Sequence, residues 1–115
     1  MERQKNEMEN ISKEIASGAS EQLPELVWSA LLAFEGCLFQ TAKGLQFYYY
    51  IKGNEMFFSR KAKSVTKATV MLALKNALEL QEKGIAITGP KMLHCFGASY
   101  LYPIFVRIGI IWIRR

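Results

Sequence analysis

Aspartate is missing from this 115-residue chain, and histidine occurs once, as His94. Catalysis by proton transfer or nucleophilic attack needs a base held against a partner, and this inventory offers few such pairs. Cys95 adjoins His94, but neighbours on a helix point about 100° apart, so the two do not form a nucleophile–base couple. The acidic residues are all glutamates, gathered mostly near the N-terminus and at expected helix ends. GxGxxG, P-loop, HExxH and GxSxG patterns are absent as well. The expectation is a protein with no catalytic residues, no metal and no cofactor.

Cysteine is scarce too. Cys37 and Cys95 sit in separate apolar settings and form no CxxC pair. They read as buried free thiols rather than a disulfide framework, which fits a reducing, cytoplasmic location. The opening MERQKNEMEN is charged throughout and has no apolar core of a signal peptide. One long apolar run, from Cys95 to Ile113, has the length of a membrane span. Arg107 lies inside it, Pro103 interrupts it, and Gly97 and Gly109 punctuate it. An arginine at mid-bilayer costs about 3 kcal/mol or more, so no membrane crossing is expected.

What the chain does have is apolar and aromatic bulk, at 50% and 12% of residues. That suffices for one packed core at this length, and for one domain rather than two. The net charge of +5 favours anionic partners.

Residues 1–21 read as a charged arm. Met8, Ile11 and Ile15 make a thin helical stripe, so this weakly attached arm turns helical only on docking; the preferred reading is a frayed terminus, and a dimer contact is the functional alternative. Residues 22–115 read as a single α+β domain, with helices packed around a two-stranded antiparallel β-hairpin. The first helix of that domain opens at Pro24 and is expected to run to Lys43, with Gly44 as its cap. LQFYYYI–KGNE–MFFSR then reads as the hairpin, turning at Gly53-Asn54. That register sets Lys52 opposite Glu55, Ile51 opposite Met56, Tyr50 opposite Phe57 and Tyr49 opposite Phe58. Alternation places Phe47, Tyr49, Ile51, Met56 and Phe58 on one face, and Tyr48, Tyr50, Lys52, Glu55 and Phe57 on the other. A second helix is expected from Ser64 or Thr66 to Lys83. Its buried side is read as Val65, Ala68, Thr69, Leu72, Ala73 and Leu80, with Val70, Leu74, Ala77 and Leu78 near it. Ile85–Ile87 reads as strand-like. A short helix over Gly89–Phe96 follows, then another from Ser99 whose stripe is Leu101, Ile104, Phe105 and Ile108.

Two sets of residues point to function. Arg60, Lys61, Lys63 and Lys67 flank Ser64 and Thr66 where a helix begins. Cations, hydroxyls and free N–H groups at one point make a natural phosphate cradle. The hairpin's second face offers Tyr48, Tyr50 and Phe57, either to stack bases or to anchor a protein partner.

TGPKMLHCFGASYLYPIFVRIGII, with its turn at Gly97 between two short helices, resembles the helix-turn-helix of winged-helix DNA-binding domains. The resemblance implies a winged-helix-like arrangement with the second helix in the major groove. Ser99, Tyr100, Tyr102, Pro103 and Arg107 would then face the bases, and Lys91 would contact a phosphate. Pro103 and the lack of Asn or Gln on that face imply little base reading. The functional expectation is a small nucleic-acid-binding domain, a regulator or accessory factor, that grips phosphates electrostatically. Arg114 and Arg115 would extend its basic surface. The alternative is a protein-interaction module or small inhibitor using Tyr48, Tyr50 and Phe57. In that case a homodimer is expected, with Trp28 or Trp112 as further anchors and the IIWI end as a pairing edge.

Overall fold

The computed structural model describes residues 2–18, 21–60 and 63–112. Lys61, Arg114 and Arg115 lie outside the described residues, as does Ile113. Among the described residues the fold is α+β: four α-helices, a two-stranded antiparallel sheet and a three-stranded antiparallel sheet.

Helix α1 (Glu2–Ala16) and helix α2 (Leu23–Ala33) pack against each other. Residues 2–16, expected to turn helical on docking, are helical and docked. Ile11 is wholly buried, with Met8 and Ile15 half-buried beside it. Removing a side chain of that size from water contributes about 1.5–3 kcal/mol. Polar contacts set the pairing: the Gln4 amide donates to the Ala33 carbonyl, and the Ser29 hydroxyl donates to the Glu7 carboxylate.

Helix α2 does not run to Lys43. It ends at Ala33, and the chain turns through Gly36, whose φ is 80°. Phe34, Cys37 and Leu38 keep helical spacing, but strand pairing takes the backbone instead. Strand β1 (Phe39–Gln40) pairs with β2 (Gln46–Phe47), and Gly44 serves the turn between them. The Gly36 N–H donates to the Tyr49 carbonyl, and the Ile51 N–H donates to the Glu35 carboxylate at 2.6 Å.

Strand β3 (Tyr49–Lys52) and strand β4 (Glu55–Phe58) form the hairpin in the register read from sequence. Strand β5 (Val65–Thr66), which no periodicity announced, adds to β4 with Met56 opposite Val65. The inner face buries Phe47, Tyr49, Met56 and Phe58.

Helix α3 (Lys67–Glu82) is capped by Thr66, whose hydroxyl accepts from the Thr69 N–H. Its buried stripe is Val70, Ala73, Leu74 and Ala77, while Ala68 and Leu72 are exposed. The expected stripe is rotated because Val65, its assumed start, belongs to β5. Ile85–Ile87 is not a strand. The Ile85 N–H bonds back to the Leu80 carbonyl, and the Gly84 N–H to that of Gln81, closing α3 in a Schellman motif.

Gly89–Phe96 is not an α-helix. It holds one 3₁₀ turn, Pro90–Leu93, ended by His94 at φ 49°. The Leu93 carbonyl, just before that turn's end, accepts from the Asn76 amide of α3 at 2.7 Å. Helix α4 (Ala98–Arg107) follows and buries Leu101, Ile104 and Phe105, with Ile108 buried just after its end. The tail is held to α3 by Gln81, which donates to the Ile110 carbonyl and accepts from the Trp112 N–H. Through Trp112 the tail forms no strand. Among the described residues no helix is long and apolar enough to cross a membrane.

Candidate nucleic-acid interface

The inner face of the hairpin is spent on the core, so the outer face is the surface left over. Between Gln46 and Lys52 exposure alternates residue by residue, with Gln46, Tyr48, Tyr50 and Lys52 outward. Tyr48 is 46% exposed and Tyr50 49%. Phe57, opposite Tyr50, is half-buried, and the two rings stack at 5.2 Å with 12° between their planes. Ser59 fixes Tyr48 from across the hairpin: its hydroxyl accepts from the Tyr48 N–H and its own N–H donates to the Tyr48 carbonyl. Gln40 lies opposite Gln46, and both are exposed. Leu38, at 67% exposure, continues this face beyond β1.

Charge is unevenly shared along the chain. Residues 36–66 carry Lys43, Lys52, Arg60, Lys61 and Lys63 against Glu55 alone. Residues 1–35 carry seven glutamates against Arg3, Lys5 and Lys13. Residues 67–115 carry seven cations against Glu79 and Glu82, so the positive excess is shared between the β-rich part and the C-terminal part of the chain. Lys52 stands beside Tyr50 at the hairpin tip, opposite Glu55. Arg60 and Lys63 are exposed on the path from β4 to β5.

The phosphate cradle expected at the start of α3 is not assembled as read from sequence. Ser64 donates its hydroxyl to the Glu55 carboxylate at 2.5 Å. Thr66 is occupied as the helix cap and bonds the Thr69 hydroxyl. Lys67 turns to α2, where it pairs with Glu25 at 3.5 Å and lies 5.2 Å over the Trp28 ring. Of the cations expected there, Arg60 and Lys63 remain exposed; Lys61 is not described. Lys91 is exposed on the 3₁₀ turn, a separate element.

Helix α4 likewise faces inward more than expected. Tyr100 stacks 4.9 Å from Phe58 and meets Phe47 edge-on at 5.0 Å. It is an aromatic member of the core, not an outward reader. Tyr102 and Pro103 are half-buried. Arg107 is exposed, but its guanidinium lies 5.1 Å over the Phe34 ring and donates toward the Met8 sulfur. Ser99 remains exposed.

A groove of about 570 Å³ runs beside α1 and is lined by Met8, Lys13, Phe34 and Arg107, with Ser12, Glu9 and Lys5 among its polar residues. His94 is exposed and closes the 3₁₀ turn. Burial pushes the Cys95 thiol upward, away from the reactive thiolate. Among the described residues no group of three His, Cys, Asp or Glu could hold a metal ion.

Lys52 was legible as part of the outer face, because alternation put it with Tyr48 and Tyr50. Leu38, Gln40 and Gln46 were not, because helical spacing absorbed the first and short strands give no period for the others. No protein-family profile, curated protein or solved structure matches this chain.

Proposed function

We propose that this domain is a small, non-catalytic nucleic-acid-binding factor that works through the outer face of its β-sheet. The observation that carries this reading is the pair of half-exposed tyrosines, Tyr48 and Tyr50, on the outer face of a segment, residues 36–66, that carries five cations against one glutamate. Aromatic rings supply flat apolar area, and Lys52, Arg60 and Lys63 supply phosphate contacts at its margins. Two free thiols that are not paired with each other fit the reducing conditions of the cytoplasm.

Binding of a dye-labelled oligonucleotide, followed by fluorescence anisotropy across a salt series, tests the proposal. The logarithm of affinity should fall linearly with that of salt. Arg60→Gln or Lys63→Gln should each flatten the slope by about 0.7–0.9. No binding at low ionic strength refutes it.

A second reading, docking of a protein partner on the same face, is favoured by Leu38, an exposed aliphatic side chain with nothing to offer a phosphate. In that case Arg60→Gln and Lys63→Gln leave binding unchanged, and Leu38→Ser weakens it.

A further inference from the structure

We infer that the nucleic acid taken by this face is single-stranded, with its unpaired bases laid along Gln46, Tyr48 and Tyr50. This inference rests on the nucleic-acid reading and specifies its substrate class.

Three observations lead to it. First, the outward positions are aromatic and amide side chains in one line. Exposure alternates from Gln46 in β2, through Tyr48 between the two sheets, to Tyr50 in β3, so these three are successive outward positions of one segment. A tyrosine ring offers its face to a base only if that base is not already stacked in a duplex. Gln40 and Gln46, side by side on the same surface, carry both donors and acceptors for exposed base edges.

Second, the backbone of Tyr48 and the ring of Tyr50 are held before binding. Tyr48 is held through its backbone by Ser59, and Tyr50 is braced by its stack on Phe57. A platform already in place loses little conformational freedom when a base settles on it.

Third, among the described residues no helix presents what a duplex groove requires. Helix α4 directs Tyr100 onto Phe58 and Phe47, and Arg107 lies over Phe34. The outer side of α1 mixes Glu2 and Glu9 with Arg3 and Lys5, and that of α3 mixes Glu79 and Glu82 with Lys75 and Lys83. Neither is a cationic stripe of the kind that tracks a duplex backbone.

The test compares one mixed-sequence oligonucleotide as a single strand and as its annealed duplex, with heparin as an anion that has no bases. Native protein, Tyr48→Ala, Tyr50→Ala and Tyr50→Phe are measured, with circular dichroism confirming that each is folded. The expected result is tighter binding to the single strand. Each alanine variant should weaken that binding about tenfold with little change in salt slope, and Tyr50→Phe should restore it, because stacking needs the ring and not the hydroxyl. Three outcomes overturn the inference. Equal or tighter duplex binding, indifferent to both tyrosines, removes the single-strand claim and leaves the nucleic-acid reading standing. Heparin competing as well as the single strand, again without tyrosine dependence, reduces the site to charge alone. Failure to bind either oligonucleotide, together with self-association in sedimentation that Tyr50→Ala abolishes, removes both readings and assigns the face to a second copy of the chain.

Discussion

Replacing Gly97 with alanine strikes the joint between α4 and β5 in two ways. The Gly97 φ is 79°, a left-handed backbone that costs an L residue roughly 1–2 kcal/mol. A Cβ at this position also falls 2.6 Å from the Val65 Cγ2, well inside van der Waals contact. Val65 cannot easily withdraw. It is buried, and its backbone is paired with Met56 in the sheet. Forcing a methyl into such a site costs about 1–3 kcal/mol. The sum, about 2–5 kcal/mol, is a large part of the 5–15 kcal/mol typical of a whole domain. A urea titration followed by tryptophan fluorescence measures it. The midpoint should fall while the slope with denaturant stays constant. Val65→Ala separates the two contributions by removing the colliding methyl. In that background Gly97→Ala should keep only its backbone cost, giving a coupling of about 1–3 kcal/mol between the sites. An identical penalty with valine or alanine at position 65 refutes the collision. A penalty below about 0.5 kcal/mol in both backgrounds refutes the left-handed backbone as well.

Tyr49→Phe should destabilise the fold by about 1–3 kcal/mol, because its hydroxyl donates at 2.6 Å to the buried Leu31 carbonyl near the end of α2. The same burial, helped by Cys37 and Glu35, raises the Tyr49 phenol above its ordinary value of 10.0. Stability from the neutral phenol is therefore whole below that value and is lost as pH climbs toward the raised one; ultraviolet titration should show a tyrosine that ionises only as the chain unfolds. Lys67→Gln should cost about 1 kcal/mol or less, since its partner Glu25 is solvent-exposed, and should perturb Trp28 emission. It should leave oligonucleotide affinity unchanged; a loss comparable to that of Arg60→Gln would return Lys67 to the binding surface.

The hairpin was readable from sequence to the residue. Its turn, its four cross-strand pairs and its two faces follow from Gly53-Asn54 and strict alternation, two local signals that agree. The end of α3 near Lys83 was readable, while its start, readable as either Ser64 or Thr66, falls at Thr66. Helix ends were misread where apolar spacing outran the backbone. Phe34, Cys37 and Leu38 continue the period of α2, yet Gly36 and the Glu35 carboxylate are claimed by β3, and the helix stops. Near Leu93 the chain leaves the helical path at His94, whose φ of 49° is left-handed, a backbone change that residue spacing does not register.

The candidate site failed to be legible for a related reason, and the failure shows what decides a cation's role. Lys67 and Arg107 have the right charge and were placed in the expected binding sets by sequence neighbourhood. Each found an aromatic ring on or just after α2, Trp28 for one and Phe34 for the other, and Lys67 found Glu25 as well. A cation resting on a ring can keep much of its solvation while covering apolar surface, so such contacts form readily wherever reach allows. Ser64 and Thr66 were likewise taken by the nearest carboxylate and the nearest helix start. What remains free is set by subtraction. The core takes one face of the hairpin and the helices take the cations within their reach. Among the described residues the outer sheet face is one surface so left exposed, with Tyr48 and Tyr50 at its centre and Lys52, Arg60 and Lys63 beyond it.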